Sequence, residues 1–259
     1  MSDDAFQRYS AYYDLLYRDK DYAAEANYVA HTLRSASPGI ETVLELGSGT
    51  GRHGRLLAGQ GFSVFGIEGS ESMVAAAQRM AIEYSGGARG SFDCIHGDIR
   101  KVAMRRTFDA VISLFHVMSY QISNRDVRSA FDSAGRHLDS GGLFFFDVWH
   151  GPAVLHERPA VRVKRTEDES TRVTRIAEPT LDVNANTVTV RYTVLAEAKG
   201  TGLLTSFGEI HHIRYFFPTE ISMLAEQAGF EVVRNEEFLS SAPASEGSWS
   251  VAYLLRRQS

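Results

Sequence analysis

The sequence predicts a doubly wound α/β fold with a helical cap before its first strand and an antiparallel sheet inserted late in the chain. Three near-continuous apolar runs, Val43–Leu46, Phe108–Phe115 and Leu143–Trp149, lack the polar alternation of a half-exposed strand. Strands of this kind are buried on both faces of a parallel sheet that helices cover. Segments of helical pattern separate them, as in α/β proteins. After Trp149 a period-2 alternation begins, which indicates antiparallel strands.

The elements of the first 150 residues follow in the order that this fold requires. A tyrosine-rich segment, Tyr9 to Tyr22, and a helix through Glu25, Val29 and Leu33 form the cap. The predicted core then has a strand at Val43–Leu46, a helix from Gly51 to Ala58, a strand at Val64–Glu68, a helix at Ser70–Tyr84, strands at Phe92–Ile95 and Phe108–Phe115, a helix at Asp126–Leu138 and a strand at Leu143–Trp149. We assign cap and core to residues 1–150.

The rest of the chain divides near residue 217. Within Val161–Phe217, Val188, Val190 and Tyr192 share one face of a strand, and Asn184-Ala185-Asn186 supplies a turn. A helix then starts at Pro218 and ends at Gly229, and strands follow near Glu231–Leu239 and Trp249–Leu255. We predict an antiparallel lid at 151–217 and a segment that completes the core at 218–259.

Composition excludes several classes of function. The net charge of −5 gives no strong basic field, so we expect no nucleic-acid partner. The N-terminus has no basic or apolar targeting region and no apolar run reaches membrane-spanning length, so we expect a cytoplasmic protein without membrane contact. Cys94 is the single cysteine, which excludes an internal disulfide and a cysteine-based metal site. We expect no metal.

A glycine-rich turn follows the first apolar strand. Val43–Gly51 has an acid, Glu45, and then Gly-x-Gly-x-Gly at the start of a helix. Glycine permits positive φ and lets the backbone approach a ligand closely, and a helix N-terminus presents free N–H groups. Arg52 occupies the position where a dinucleotide-binding turn needs its third glycine. The turn therefore favours a ligand other than a pyrophosphate.

Two further acids follow neighbouring strands. Glu68 ends the second strand, 21 residues after Gly47, where a carboxylate can accept hydrogen bonds from ribose hydroxyls. Gly97-Asp98-Ile99 follows the third strand. There Asp98 can accept the amino group of adenine and Ile99 can cover the ring. Either acid alone fits a helix cap or a solvated loop, but the two together predict a site for adenosine.

From Thr42 to Trp149 these residues resemble the class I S-adenosylmethionine-dependent methyltransferases, which have a Rossmann-like sheet. The resemblance implies S-adenosylmethionine as the cofactor. It implies as cofactor-binding residues Tyr22, Glu45, Gly47, Ser48, Gly49, Thr50, Gly51, Glu68, Gly69, Met73, Gly97, Asp98, Ile99, Leu114 and Phe115.

The cap and insertion are similar to those of nucleotide-linked amino-sugar N-methyltransferases. The similar segments are Tyr13–Tyr17, Lys20–Ala26 and Glu209-Ile210-His211. The similarity implies a small-molecule acceptor, preferentially the amine of a nucleotide sugar. It places Tyr17 over the donor methyl and the acceptor, and Tyr22 near the methionyl end of the cofactor. Ser119-Tyr120 stands where several of these enzymes have Gly-His, a departure that bears on the sugar assignment.

Four residues are candidates for catalysis. Tyr17 comes from the resemblance, while His116 and Tyr120 follow the fourth strand, at the edge where open α/β sheets bind ligands. His211 shares a strand face with Glu209, and a histidine can accept a proton near neutral pH. A structural hydrogen bond is an equal alternative for His116. His53, in the first core helix, is expected on the surface.

Three other functions remain open on sequence alone. An O- or carboxyl-methyltransferase is the nearest alternative, and a nicotinamide-dependent oxidoreductase is a distant one. The third is a catalytically silent cofactor-binding module. The inserted sheet acts either as a lid over the carboxyl edge of the main sheet or as the contact of a homodimer.

Overall fold

The computed structural model describes residues 12–83 and 90–259. Its central feature is a parallel sheet of five strands in the order β3-β2-β1-β4-β5. These strands are β1 (Thr42–Leu46), β2 (Ser63–Glu68), β3 (Ser91–His96), β4 (Phe108–Ser113) and β5 (Leu138–His150). Two C-terminal strands, β10 (Phe230–Glu237) and β11 (Ser250–Arg257), extend the sheet, because β11 pairs antiparallel with both β5 and β10.

Helices cover both faces of this sheet. They are α1 (Tyr22–Ala36), α2 (Arg52–Gly59), α3 (Glu71–Glu83), α4 (Asn124–Arg136), α5 (Gly151–Glu157) and α6 (Pro218–Gln227). Residues 12–16 are also helical, and Val117–Tyr120 is a short 3₁₀ helix. Asp21 begins α1 by accepting the backbone N–H of Ala24 at 2.8 Å, which satisfies one of the free donors of the first turn.

The core confirms that the central strands are buried on both faces. Along β5, Phe144 and Phe146 pack into one apolar cluster with Phe131 of α4, while Phe145 packs into a second cluster with Leu33 of α1. Successive side chains of a strand point to opposite faces, so an uninterrupted apolar run supplies both layers.

The insertion is an antiparallel sheet of four strands, β6 (Arg162–Glu167), β7 (Thr171–Asp182), β8 (Thr187–Ala198) and β9 (Leu203–Phe216). It continues the main sheet, because Trp149 and His150 of β5 pair in parallel with Tyr215 and Phe216 of β9. Val173 and Val194 pack on Leu16 of the first helical segment. The insertion therefore lies against the cap at the carboxyl edge of the main sheet.

The predicted α/β class with cap and insertion is confirmed, but several boundaries are wrong. Phe108–Phe115 was predicted as one strand, yet β4 ends at Ser113 because Phe115 takes a left-handed conformation with φ 61°. The helix predicted to reach Leu138 ends at Arg136, since β5 begins two residues later and runs through Gly141-Gly142. Helix α5 was not predicted. Tyr9 and Tyr84 lie outside the described residues. No helix in the described ranges is long and apolar enough to span a membrane.

Candidate active site

The glycine turn after β1 has the conformation that its sequence predicts. Gly47, Gly49 and Gly51 have φ of 80°, 56° and 74°, values that other residues rarely adopt. A Cβ on Gly47 would lie 2.6 Å from the side chain of Val117. The Gly47 N–H donates to the carbonyl of Ile67 at 2.8 Å, which holds the turn against the end of β2.

Glu68, at the end of β2, holds this turn from the side. Its Oε2 accepts the N–H of Gly49 at 2.8 Å and its Oε1 accepts the N–H of Ser70 at 2.9 Å. Burial raises the pKa of Glu68, although these N–H groups oppose the shift by stabilising the charged form. A carboxylate thus lies beside the turn, in the place predicted for ribose recognition.

A second acid, Glu45, lies beneath the turn. It is fully buried, and its Oε2 has no hydrogen-bond partner among the described residues. Burial, followed by the nearby charge of Glu68, raises the pKa of Glu45 to about 8. A buried carboxyl group without a partner is costly, which points to a polar or cationic ligand as its missing neighbour.

Ser48 and Thr50 in the turn, and Leu114 after β4, are also predicted to contact the cofactor, and the structure shows which of them can do so only through the backbone. The hydroxyl of Ser48 lies 3.1 Å from Sγ of Cys94, inside the fold, and Leu114 is buried in the core. These two residues can reach a ligand only through their backbone. The hydroxyl of Thr50 donates to Asp14 at 3.3 Å, which links the turn to the cap.

The segment after β3 lies next to Glu68. Gly97 donates its N–H to the carbonyl of Glu68 at 2.9 Å, and Ile99 is buried in the core cluster. Arg100 binds both oxygens of Asp98, with Nε–Oδ1 at 2.9 Å and Nη2–Oδ2 at 2.8 Å, and lowers the pKa of that carboxyl group. Oδ1 also accepts the backbone N–H of Arg100 at 2.9 Å, so Oδ2 is the oxygen with a second lone pair for a ligand donor. Gly69 adjoins this segment, and Met73, in the first turn of α3, is buried.

These residues fit the adenosyl cofactor that the sequence implies. The turn offers backbone at Gly47 and Gly51, where a Cβ would collide with neighbouring side chains. It is flanked by two carboxyl groups, and no side chain or backbone group in the described ranges forms a hydrogen bond with Oε2 of Glu45. No group of three or more potential metal ligands occurs in the ranges 12–83 and 90–259.

A cavity of about 380 Å³ lies at the carboxyl edge of the sheet. The cap forms one side of it, and the ends of β4 and β5 form another. It is lined by Tyr17, Asp19, Lys20, Glu25, Phe115, His116, Asp147, Lys164, Phe238 and Ser250. Its volume is that of a small-molecule site.

His116 and Asp147 are paired on the wall of this cavity. Nδ1 of His116 lies 2.7 Å from Oδ2 of Asp147, and the backbone N–H of His116 lies 3.2 Å from both carboxylate oxygens. Burial acts to raise the pKa of Asp147, but the contacts with His116 hold it below its usual value. Sequence reasoning proposed His116 and missed Asp147. The available signal was a carboxylate inside the apolar run Leu143–Trp149.

A buried ion-pair network joins the cap to α2. Lys20 pairs with Glu25 and lies 4.3 Å from the ring centre of Phe115. Glu25 also contacts Nε2 of His53 at 2.7 Å. Burial opposes ionisation of Glu25, yet His53 and Lys20 keep its pKa below the usual value. The predicted surface position of His53 is therefore wrong, because this side chain packs under the cap and its ring contacts Tyr22.

A hydrogen-bonded chain of side chains lies on the inner face of the inserted sheet. The hydroxyl of Tyr120 is 2.8 Å from Nδ1 of His211, and Nε2 of His211 is 3.0 Å from Oε2 of Glu209. Burial raises the pKa of Tyr120 well above its usual value. Glu209 and His211 are buried on one face and His212 is exposed on the other, as their alternation predicts.

Tyr17 connects this hydrogen-bonded set of side chains to the cavity. Its ring meets Phe115 edge-on at 5.1 Å, and its hydroxyl accepts a hydrogen bond from Arg175 at 3.0 Å. Arg175 lies over Tyr192, whose ring contacts His211 at 4.8 Å. The structure thus brings Tyr17 and His116 to the cavity wall, whereas Tyr120 and His211 are not among the lining residues.

Comparison with known proteins agrees with this geometry. Residues 43–142 match a family model described as a methyltransferase domain. The chain is 29% identical over 238 residues to a dTDP-3-amino-3,4,6-trideoxy-alpha-D-glucopyranose N,N-dimethyltransferase of Streptomyces venezuelae, covering 91% of this chain and 93% of the relative. It is 28% identical to a dTDP-4-amino-2,3,4,6-tetradeoxy-D-glucose N,N-dimethyltransferase of Saccharopolyspora spinosa, covering 91% and 88%.

Among solved structures, Streptomyces venezuelae DesVI superposes with a TM-score of 0.79 at 25% identity, covering 96% of this chain and 98% of that one. The match includes the cap and the insertion as well as the core. With the glycine turn and its two acids in place, the chain resembles the class I S-adenosylmethionine-dependent methyltransferases, in sequence over residues 43–142 and in fold over nearly its whole length.

Proposed function

We propose that the protein N-methylates the amino group of a nucleotide-linked amino sugar, with S-adenosylmethionine as methyl donor. One observation carries the proposal. The two amino-sugar relatives match over 91% of the chain, so the similarity extends through the cap and the inserted sheet. Because these parts border the cavity, they are the parts that select an acceptor.

The cavity suits an amine acceptor. Tyr17 and Phe115 give it an aromatic side, and Asp147 supplies a buried negative charge close to His116. The carboxylate favours a cationic group such as an ammonium, whereas the rings of Phe115 and Tyr17 already contact the protein's own cations, Lys20, Lys164 and Arg175. An acceptor hydroxyl would need a stronger base to ionise.

The proposed division of labour follows from position. The glycine turn, with Glu45, Glu68 and Asp98, is proposed to hold the cofactor, which supplies an activated methyl group when bound. Tyr17 is proposed to orient the acceptor from the cap side. Most of the rate enhancement is then expected from alignment, with reacting atoms held about 3–3.5 Å apart in a pocket that excludes water.

Tyr120 and His211 are proposed to shape the acceptor side from the lid. Their hydrogen bond is supported by Glu209 behind His211, so both polar side chains have fixed orientations. The contact of Arg175 with Tyr17 joins this hydrogen-bonded set of side chains to the cavity wall. In this role the inserted sheet acts as a lid whose inner face carries the polar groups.

A panel assay tests the proposal. The purified protein is incubated with S-adenosylmethionine and dTDP-3-amino and dTDP-4-amino sugars, and the matching 3-hydroxy and 4-hydroxy sugars serve as controls. We expect S-adenosylhomocysteine and a methylated product, identified by mass spectrometry, with an amino sugar only. Methylation of the hydroxyl sugars alone would instead support the O-methyltransferase alternative.

Three finer points belong to the same proposal and need their own tests. The nucleotide carrier is tested by comparing each dTDP-amino sugar with the free amino sugar. A homodimer, in which the inserted sheets are the proposed contact, is tested by light scattering. A cytoplasmic location is tested by fractionating cells that express the protein.

A further inference from the structure

The proposed reaction requires removal of a proton from the acceptor amine. We infer that His116 removes this proton and that Asp147 positions His116 for the task. The inference rests on the proposed function, and it concerns a pair of residues that the cavity brings together from the ends of two adjacent strands.

Asp147 holds His116 through both backbone and side chain. Its carboxylate accepts the His116 N–H and lies 2.7 Å from Nδ1, while the hydroxyl of Ser250 donates to Oδ2 at 3.3 Å. Asp147 is 1% exposed. A buried carboxylate with these donors remains ionised, in agreement with the lowered pKa of Asp147.

This arrangement leaves one ring nitrogen available. Nδ1 of His116 is buried 2.7 Å from Oδ2 of Asp147, within ion-pair distance but outside hydrogen-bond geometry, whereas the side chain as a whole remains 23% exposed on the cavity wall. With a proton on Nδ1, close to the carboxylate, the neutral imidazole has its lone pair on Nε2. Nε2 is therefore the nitrogen that can accept a proton from a ligand in the cavity.

The backbone at this point is strained. Phe115 and His116 are consecutive residues with φ of 61° and 62°, conformations that are strained for residues other than glycine. Strain of this kind persists only where surrounding contacts impose it, and the carboxylate of Asp147 is one of those contacts. The conformation places the aromatic ring and the imidazole together on the cavity wall.

The proton transfer balances without another reactant. The N–H bond of the acceptor ammonium breaks, Nε2 of His116 gains the proton, and the electron pair remains on the amine nitrogen. The imidazolium that forms lies beside the negative charge of Asp147, which stabilises it. The charged groups that face His116 across the cavity are Asp19, Lys20 and Glu25 from the cap, Asp147 from β5 and Lys164 from β6.

Two variants test the inference with the amino sugar that the panel identifies. His116→Gly suits the positive φ and leaves a space of the size of imidazole. We expect kcat to fall by about 100-fold, S-adenosylhomocysteine binding to persist, and added imidazole to restore turnover. The exposed His156→Gln serves as the matched control and should turn over like the unmodified protein. Unchanged turnover of His116→Gly, or loss without imidazole rescue while the protein still binds S-adenosylhomocysteine, would overturn the inference.

Asp147→Asn gives a second test that does not depend on rescue. We expect a lower kcat with unchanged S-adenosylhomocysteine affinity, and a pH profile of turnover that differs from that of the unmodified protein. Asp147→Glu should recover part of the activity. A pH profile identical to that of the unmodified protein would contradict the positioning role of Asp147. Failure of every amino sugar in the panel would refute the proposed function itself, a result distinct from any of these.

Discussion

Replacing Glu45 by glutamine is expected to stabilise the folded protein at neutral pH. The carboxyl group is buried beneath the glycine turn, and its Oε2 has no hydrogen-bond partner in the described part of the chain. Burial and the charge of Glu68 raise the pKa of Glu45 to about 8. A glutamine resembles the protonated acid in shape and needs no proton, so it avoids the cost of keeping a carboxyl group protonated above its ordinary pKa.

The size of the effect follows from the difference between the pKa of Glu45 in the folded protein and its pKa in the unfolded chain. The ordinary pKa of this group is 4.5, so as the pH rises the unfolded chain loses this proton first. The unmodified protein therefore loses stability from about pH 4.5 up to about pH 8. Each pH unit costs about 1.4 kcal/mol, which makes the Gln variant more stable by roughly 3 kcal/mol at pH 7. Below this window the difference disappears.

Urea unfolding of both proteins across pH 4.5 to 8 measures this effect, with the exposed Glu226→Gln as a control that should show no such trend. The same variant should bind S-adenosylhomocysteine more weakly, because glutamine cannot become charged when a cationic group of the ligand binds beside it. A stability difference that does not grow with pH, or a Gln variant less stable at pH 7, would refute the account of Glu45.

Three further changes test the site and its supports. Glu68→Gln should raise the Kd for S-adenosylhomocysteine by roughly 10–100-fold in calorimetry, because hydrogen bonds to a charged group contribute about 1.5–3 kcal/mol; an unchanged Kd would contradict ribose recognition. Gly47→Ala should destabilise the fold by about 1–3 kcal/mol and weaken cofactor binding, whereas Gly39→Ala, in open space, should do neither. His211→Ala should lower the free energy of unfolding by about 1–3 kcal/mol, because Tyr120 and Glu209 stay inside the fold without their hydrogen-bond partner. An unchanged urea midpoint would show that these hydrogen bonds are not needed for stability.

The shape of the glycine turn and its contact with Glu68 could be predicted because their signals are local. The φ values of Gly47, Gly49 and Gly51, and the position of Glu68, follow from one turn between two strands. Apolar runs without alternation likewise indicated which strands lie at the centre of the sheet. The inserted antiparallel sheet followed from its period-2 pattern.

The acceptor side depends on contacts between distant segments, which the sequence pattern does not reveal. The pairing of His116 with Asp147 requires β4 and β5 to be neighbours and Phe115 to leave the strand with positive φ. His53 seemed a surface residue because its helix is short and largely polar, and only the buried Glu25 of the cap explains its position. Helix α5 was missed because it directly follows a long strand.

A crystal structure of the protein with S-adenosylhomocysteine bound would show whether the glycine turn and its acids hold the cofactor. We expect ribose hydroxyls on Glu68, the adenine ring beside Asp98 and Ile99, and the sulfur directed toward the cavity that Tyr17 and His116 line. A ligand bound elsewhere, or one that leaves Glu68 without a contact, would contradict the account.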